Sequence, residues 1–143
     1  MFKEYILTAV LLAMTTVLYA QTADSTVFRA YLYNNEYNVF MRINFYDADV
    51  MVPGQDIYGP LPGYFQKELN SFSWLITDAE ITSPATATLQ MINDYGSEDL
   101  TAELECVNDS IYMLRHRRGS VMKVPNNGKW QKLPKAMELK RKK

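Results

Sequence analysis

The side chains in this sequence best suited to bind a partner are basic and aromatic, and they lie close together near the carboxyl terminus. Arginines and lysines on successive short strands can align into a positively charged patch, and an indole ring offers a flat face for stacking. Such a patch would suit a protein, or an anionic glycan or lipid head group. The alternative is a polar strand face whose lysines keep the sheet soluble and its edge unpaired. The predicted binding residues are Arg115, Arg117, Arg118, Lys123, Lys129 and Trp130.

The charges of the chain are divided between its two parts, although the net charge is only −1. Residues 22–110 contain three basic and fourteen acidic side chains, whereas residues 111–143 contain eleven basic side chains and one acidic. Such an asymmetry can mark a face that binds a partner. We favour the alternative, in which acidic strands pair beside basic strands and neutralise them across a sheet. The small net charge gives no indication of nucleic-acid binding.

A second group of chemically active side chains is the acidic turn of residues 93–99, which holds three carboxylates. Oxygen ligands suit Ca²⁺, and Gly96 would let the backbone turn around an ion. The spacing differs from that of an EF-hand loop, however, so a β-turn rich in Asn, Asp, Gly and Ser is the simpler interpretation. We therefore predict no cofactor and keep these carboxylates as weak metal candidates: Asp94, Glu98 and Asp99.

The sequence contains no recognisable catalytic motif. His116 is the only histidine, so a Ser-His-Asp or Cys-His arrangement would have to use it, within a basic run that is typical of a solvated turn. A carboxylate-based hydrolase is left open, although no spacing singles out a pair of acids. The P-loop, the dinucleotide fingerprint, HExxH and GxSxG are all missing from the sequence. We predict a protein that is not an enzyme.

Residues 53–66 hold three of the six prolines and three of the six glycines, which disfavours a regular element. Loops of this length are often functional. This one is also apolar, so we expect it to fold over one end of the sheet as a plug, because exposed apolar patches are rare on monomers. The alternative is an exposed recognition surface, whose binding residues would be Tyr58, Tyr64 and Phe65.

The elements that position these side chains are strands. Residues 85–116 contain three runs of alternating apolar and polar side chains, separated by two short turns. A period of two is what a strand with one buried and one solvated face requires, so this stretch predicts an antiparallel meander. Cys106 shares the apolar face of its run with Leu104, which predicts a buried structural thiol rather than a catalytic one. The other side chains of these apolar faces are Ala87, Leu89, Met91, Leu100 and Ala102.

Further strands are predicted on both sides of the meander, with Asn-rich hairpin turns at residues 34–36 and 125–128. Trp74 is the expected core anchor, and residues 67–71 could form one helical turn. The pattern predicts an all-β single domain of about 8–10 strands, either an antiparallel up-and-down barrel or a β-sandwich. Its hairpin series resembles lipocalin-like barrels and bacterial lysozyme inhibitors, without a motif that assigns residues. The predicted strands are residues 27–33, 37–46, 50–52, 72–77, 79–82, 121–124, 129–133 and 136–140.

Residues 1–20 have the layout of a secretory signal, with Lys3 in a charged start, an apolar run to about Ala13, and the small residue Ala20 at the expected cut. A transmembrane anchor is the competing interpretation, but the run falls short of the roughly 20 residues that a spanning helix needs. The single cysteine excludes a disulfide scaffold and a multi-cysteine metal site. We predict export to the periplasm or the cell surface, leaving a domain of residues 21–143 without a transmembrane span.

These observations favour an exported, non-catalytic binding or interaction protein of the bacterial envelope. The second hypothesis is an assembly subunit that presents a β edge to a larger complex, and the third is a hydrolase that uses carboxylates. An apolar cavity would favour ligand binding, an uncovered edge would favour assembly, and converging carboxylates in a cleft would favour an enzyme.

Overall fold

The computed structural model describes residues 26–143, so the predicted signal peptide and residues 21–25 lie outside the described residues. The described chain is built from strands and turns, and none of it forms a helix of the length and apolarity needed to cross a membrane. The strands are β1 (Arg29–Asn34), β2 (Val39–Asn44), β3 (Gly63–Lys67), β4 (Ser73–Ser83), β5 (Thr86–Asn93), β6 (Asp99–Cys106), β7 (Ile111–Gly119), β8 (Lys123–Asn126), β9 (Lys129–Lys132) and β10 (Ala136–Arg141).

Eight of these strands close into an antiparallel barrel in the order β1-β10-β7-β6-β5-β4-β3-β2. Strands adjacent in the barrel are consecutive in sequence at all but two positions: the β8–β9 hairpin is inserted between β7 and β10, and β1 pairs with β10 to close the barrel. The all-β prediction is therefore confirmed, and of its two architectures the up-and-down barrel is the one observed. Closure gives every barrel strand two neighbours, so the barrel itself has no free edge.

The inside of the barrel is filled by apolar side chains from alternating positions. Except at Cys106, the predicted inward faces of β5 and β6 are buried, and Trp74 is fully buried with its Nε1 donating to the carbonyl oxygen of Lys123 at 2.8 Å. Cys106 is partly buried and packs against the same core. An eight-stranded barrel is just wide enough for side chains to fill its interior. The core is therefore a packed cluster, in contrast to the ligand cavity of a hollow barrel.

The β8–β9 hairpin closes one end of the barrel, which we call the hairpin end. Met122, Val124 and Leu133, which belong to the hairpin and its flanks, are buried within the barrel core. Lys67 Nζ reaches Asn126 Oδ1 at 3.2 Å and so ties the hairpin to β3. The plug role that we expected of residues 53–66 thus belongs to a different segment.

The expectation that residues 53–66 lack regular structure is wrong for their last third, because Gly63 opens β3. A Cβ at Gly63 would lie 2.3 Å from the backbone oxygen of Arg42, so glycine is required here by close strand contact rather than by a loop. Tyr64 and Phe65 are both buried, on opposite faces of β3. Neither can contribute to the exposed recognition surface that we considered.

Part of the segment between β2 and β3 packs on the outer wall of the barrel, although residues 56–58 are exposed. Val52 and Leu61 pack on Tyr64 and Leu75, forming a second apolar cluster outside the main core. Phe40 joins this cluster, its ring meeting that of Tyr64 edge to face at 5.8 Å. This second layer explains why the outward face of β2 carries an aromatic side chain at Phe40.

Three smaller expectations also change. The strand predicted at residues 50–52 is reduced to an isolated bridge between Val50 and Leu61. The possible helical turn at residues 67–71 is the end of β3 followed by a turn, in which Leu69 has a φ of 57°. The two strands predicted at residues 72–82 are one strand, β4, with a register shift between Ile76 and Asp78.

Candidate functional site

Two of the predicted binding residues are held by carboxylates on the neighbouring strand. Arg115 Nη1 lies 3.1 Å from Glu105 Oε1 and 4.0 Å from Glu103 Oε1, and Arg117 Nη2 lies 3.0 Å from Glu103 Oε1. These four side chains, which we call the β6–β7 wall, face outward where β6 and β7 pair. Here the acidic and basic parts of the chain neutralise each other across the sheet, as we favoured from the sequence.

Lys123 is also paired, but it takes part in a second interaction. Its Nζ lies 3.2 Å from Glu98 Oε1 and 5.6 Å from the centre of the Trp130 ring. Lys132 stands directly opposite Lys123 in the hairpin register. Like charges directly opposite each other repel, so Lys123 and Lys132 destabilise the hairpin, and the pairing of Lys123 with Glu98 offsets part of this repulsion.

The acidic turn is organised by a buried amide side chain. Asn93 Oδ1 accepts hydrogen bonds from the backbone N–H groups of Ser97 at 2.9 Å and Glu98 at 3.2 Å. Partial burial raises the pKa of Asp94 above its ordinary value. Among residues 26–143, no three His, Cys, Asp or Glu side chains are grouped so that they could hold a metal ion.

The remaining basic residues at the hairpin end lack carboxylate partners. Within residues 26–143, no carboxylate oxygen lies within 4.0 Å of Arg118, Lys129 or Lys132. Within the described part of the chain, the guanidinium of Arg118 makes one long hydrogen bond, from its Nε to Thr101 Oγ1 at 3.4 Å. These cations therefore contribute positive potential that the fold does not cancel locally.

An aromatic cluster lies at the same end of the barrel as these cations. The buried ring of Phe72 meets Trp130 edge to face at 4.9 Å and Tyr95 at 5.6 Å. The cluster is nevertheless open to solvent, because Trp130 is 50% exposed and Tyr95 is 74% exposed. The fold thus places a half-exposed indole, an exposed phenol ring and cations without carboxylate partners among the described residues at one end of the barrel. We call this group the hairpin-end surface: Tyr95, Arg118, Lys129, Trp130 and Lys132.

Sequence reasoning did not select Tyr95, which lies in the turn that we considered only for metal binding. The signal that could have found it is an aromatic residue in a turn of otherwise small and polar residues. Of the loop residues that we predicted, Tyr58 is half-exposed, next to Ile57, which is 91% exposed. Tyr58 therefore lies on a separate surface from Trp130, on the loop that leaves the opposite end of the barrel.

The lone histidine and the lone cysteine have structural surroundings and lie far apart. His116 Nε2 is 2.9 Å from the carbonyl oxygen of Ser120, and since a carbonyl only accepts, this nitrogen donates. His116 pairs with Ala102 and Cys106 pairs with Tyr112, so the two positions are four residues apart along β6. At the usual strand rise this is about 13 Å, too far for a Cys-His pair.

No protein-family model, curated protein or solved structure matches this chain. The chemistry of the described residues is therefore the basis for assigning a function. The arrangement at the hairpin end can hold a negatively charged partner by charge and by ring contact.

Proposed function

We propose that this chain is an exported, non-catalytic binding protein of the bacterial envelope, which contacts a protein or an anionic glycan or lipid through the hairpin-end surface. The observation that carries the proposal is the exposed Trp130, which shares strand β9 with Lys129 and Lys132, two lysines that have no carboxylate partner among the described residues. The signal-like residues 1–20 and the single cysteine support export.

The packed interior supports binding on the outside of the barrel. Because the barrel core is a continuous cluster of buried side chains, a partner has to be recognised by an exterior surface. Exposed aromatic rings are unfavourable in water, and a fixed ring is a good anchor because it loses little conformational freedom on binding. Phe72 fixes Trp130 in this way.

The charge of the hairpin-end surface favours an anionic partner. Arg118, Lys129 and Lys132 add three positive charges, and Glu98 of the acidic turn is already paired with Lys123. Charge complementarity raises association rates and selects against basic partners. A salt-sensitive interaction is the expected result.

The assembly and hydrolase alternatives have less support. In the part of the chain that the structure describes, only the two-stranded hairpin has unpaired edges, and lysines occupy both ends of its β9 strand, an arrangement that discourages strand addition. For a hydrolase, Glu98, Glu103 and Glu105 are engaged in ion pairs on the surface of the barrel.

The proposal is tested on a heparin column, with heparin as a model polyanion and the salt concentration at elution as the measurement. The hairpin variant Lys129→Ser/Lys132→Ser is compared with the control Lys140→Ser/Lys143→Ser. Both variants remove two positive charges, but the control positions lie in and after β10. Trp130→Ala is included because loss of the ring should weaken binding roughly 2- to 10-fold.

We expect the hairpin variant to elute at clearly lower salt than the wild type, and the control to elute close to the wild type. Equal shifts in the two variants would mean that heparin senses only net charge. That result would contradict the assignment of binding to the hairpin-end surface.

A further inference from the structure

A groove of about 560 Å³ lies on the outer wall of the barrel, away from the hairpin end, where β1 and β2 meet the loop that follows β2. We propose that this groove is a second binding site, which takes an organic anion with its carboxylate at Arg42 and its apolar body against Val50 and Met51. The inference is independent of the proposed function of the hairpin-end surface. We call this site the Arg42 groove; it is lined by Arg29, Ala30, Tyr31, Arg42, Ile43, Asp49, Val50 and Met51.

The strand wall of the groove holds Arg42 over an aromatic ring. Tyr31 is directly opposite Arg42 in the β1–β2 register, and the guanidinium carbon lies 6.0 Å from the centre of the Tyr31 ring. Phe40 stacks on Tyr31 with centroids 5.4 Å apart and an interplanar angle of 5°. The ring and the guanidinium are thereby oriented before a ligand arrives, which lowers the cost of binding.

The hydroxyl of Tyr31 is fixed as well. It donates a hydrogen bond to Glu68 Oε1 at 3.2 Å. Burial, with a further contribution from the charge of Glu68, raises the pKa of Tyr31. The phenol therefore stays neutral at physiological pH and brings no negative charge to the groove.

The loop wall is fixed by a buried asparagine. Asn44 Nδ2 donates to Asp47 Oδ2 and Asp49 Oδ1, both at 3.1 Å, and its Oδ1 accepts from the backbone of the same turn. Val50 and Leu61 then exchange two backbone hydrogen bonds of 3.0 and 2.9 Å. These contacts place Val50 and Met51 across the groove from β2. Met51 is 59% exposed, and methionine adapts well to the shape of a ligand.

The distribution of charge identifies Arg42 as the position for an anion. Arg29 is already paired with Asp47 at 3.5 Å, and Asp49 accepts from Asn44. Arg42, by contrast, has no carboxylate within 4.0 Å in the described part of the chain. A guanidinium presents a planar fork that matches a carboxylate. The groove volume also lies within the range of small-molecule sites.

The test is a titration of the ¹⁵N-labelled protein, followed by amide chemical shifts, with three probes that separate charge from apolar body. Octanoate carries both features, octylammonium keeps the body but reverses the charge, and acetate keeps the charge without the body. We expect octanoate to shift the amides of Tyr31, Arg42 and Met51 saturably. Octylammonium and acetate should bind at least roughly 10-fold more weakly, because each lacks one of the two interactions.

Two variants sharpen this test. Arg42→Gln should weaken octanoate binding roughly 10-fold, whereas Lys140→Gln, which removes the same charge from exposed β10, should leave it unchanged. Both positions are on the surface, so we expect both variants to fold, as circular dichroism would check. Equal binding of octanoate and octylammonium, or unchanged binding by Arg42→Gln, would overturn the proposal. Octanoate shifts that map to other parts of the barrel would do the same.

Discussion

The basic residues of the β6–β7 wall and of the hairpin-end surface come from neighbouring parts of one basic segment. Within the described residues, those of the wall are paired with carboxylates, whereas those of the hairpin-end surface are not. Arg115 and Arg117 face glutamates across the strand pair, with contacts of 3.0–3.1 Å. Lys129 and Lys132 lie on a two-stranded hairpin that has no acidic strand beside it. Basic side chains are therefore available to a partner only where the fold provides no neighbouring carboxylate.

Among residues 26–143, Arg141 is neither paired with a carboxylate, as Arg115 and Arg117 are, nor left without partners. Its guanidinium donates to three neutral oxygens: the Tyr112 hydroxyl at 3.0 Å, the Arg29 carbonyl at 3.1 Å and the Thr26 carbonyl at 3.2 Å. These contacts tie the last barrel strand to the first residues of the described chain. Arg141 thus helps to close the barrel between β10 and β1, and its guanidinium is already engaged in these contacts.

The largest effect on stability should come from a substitution that detaches the β8–β9 hairpin from the core, because the hairpin-end surface depends on this attachment. Leu133→Ala deletes a buried side chain next to β9 and should lower the free energy of unfolding by about 2–5 kcal/mol in urea denaturation. The neighbouring Lys132→Ala, at an exposed position, should change it by no more than about 0.5 kcal/mol. Equal effects of the two substitutions would show that the hairpin is not part of the core.

The next effect concerns the Arg141 contacts. Tyr112→Phe removes a hydroxyl that donates to the Val27 carbonyl and accepts from Arg141. Leaving these buried groups unsatisfied should cost about 1–3 kcal/mol at pH 7.

This cost should also depend on pH. Burial raises the pKa of Tyr112 to about 12, above its ordinary value of 10.0, so the wild type loses stability as pH rises from 10 to 12. The phenylalanine variant has no such group, and its deficit should therefore narrow over this range. A deficit that stays constant in denaturation measurements from pH 9 to 12 would contradict the assignment.

Removing the carboxylate partners of Arg115 and Arg117 should have a smaller effect on stability. It should also change the charge of the β6–β7 wall directly. Glu103→Gln/Glu105→Gln leaves Arg115 and Arg117 unpaired, and should cost at most about 1 kcal/mol per pair. The variant should elute from heparin at higher salt than the wild type, because the wall has become a basic patch. The control Asp78→Asn/Glu80→Gln removes the same charge from exposed positions on β4. A control that gains as much affinity would show that the ion pairs do not mask the arginines.

The smallest effect is expected at Asp94, beside the hairpin-end surface. Its pKa is raised by burial, so its ionised form is disfavoured in the folded protein and stability falls as pH rises through that pKa. Asp94→Asn should therefore stabilise the protein at pH 7, but by less than about 0.5 kcal/mol because the side chain is exposed and solvent screens its charge, and the gain should vanish near pH 2. Asp109→Asn, in the turn at the opposite end, is the matched control. An equal gain at both pH values would exclude the ionisation of Asp94 as its cause.

The sequence was sufficient to predict the parts of the fold that depend on local patterns. Alternation alone identified the inward faces of β5 and β6, and the Asn127-Gly128 pair predicted the β8–β9 turn, in which both residues have a positive φ. The sequence was misleading at β3. Glycine and proline usually indicate a loop, but Gly63 lies in a strand, where it permits close contact with β2.

The site could be predicted only in part, because charge compensation depends on contacts between strands. The pairing of Arg115 with Glu103 and Glu105 follows from the β6–β7 register, which shifts between Thr101 and Ala102. No local pattern shows that shift. The position of the Trp130 ring likewise depends on a contact with Phe72, which is distant from Trp130 in the sequence.

The two tryptophans provide the most direct test of the proposal that the hairpin-end surface is the binding site. Trp130 is half-exposed there, whereas Trp74 is fully buried with its Nε1–H bonded to Lys123. In a titration with a short heparin oligosaccharide, followed by the two indole N–H resonances, the Trp130 signal should shift saturably and the Trp74 signal should barely move. Saturable binding without a shift of the Trp130 signal would contradict the proposal.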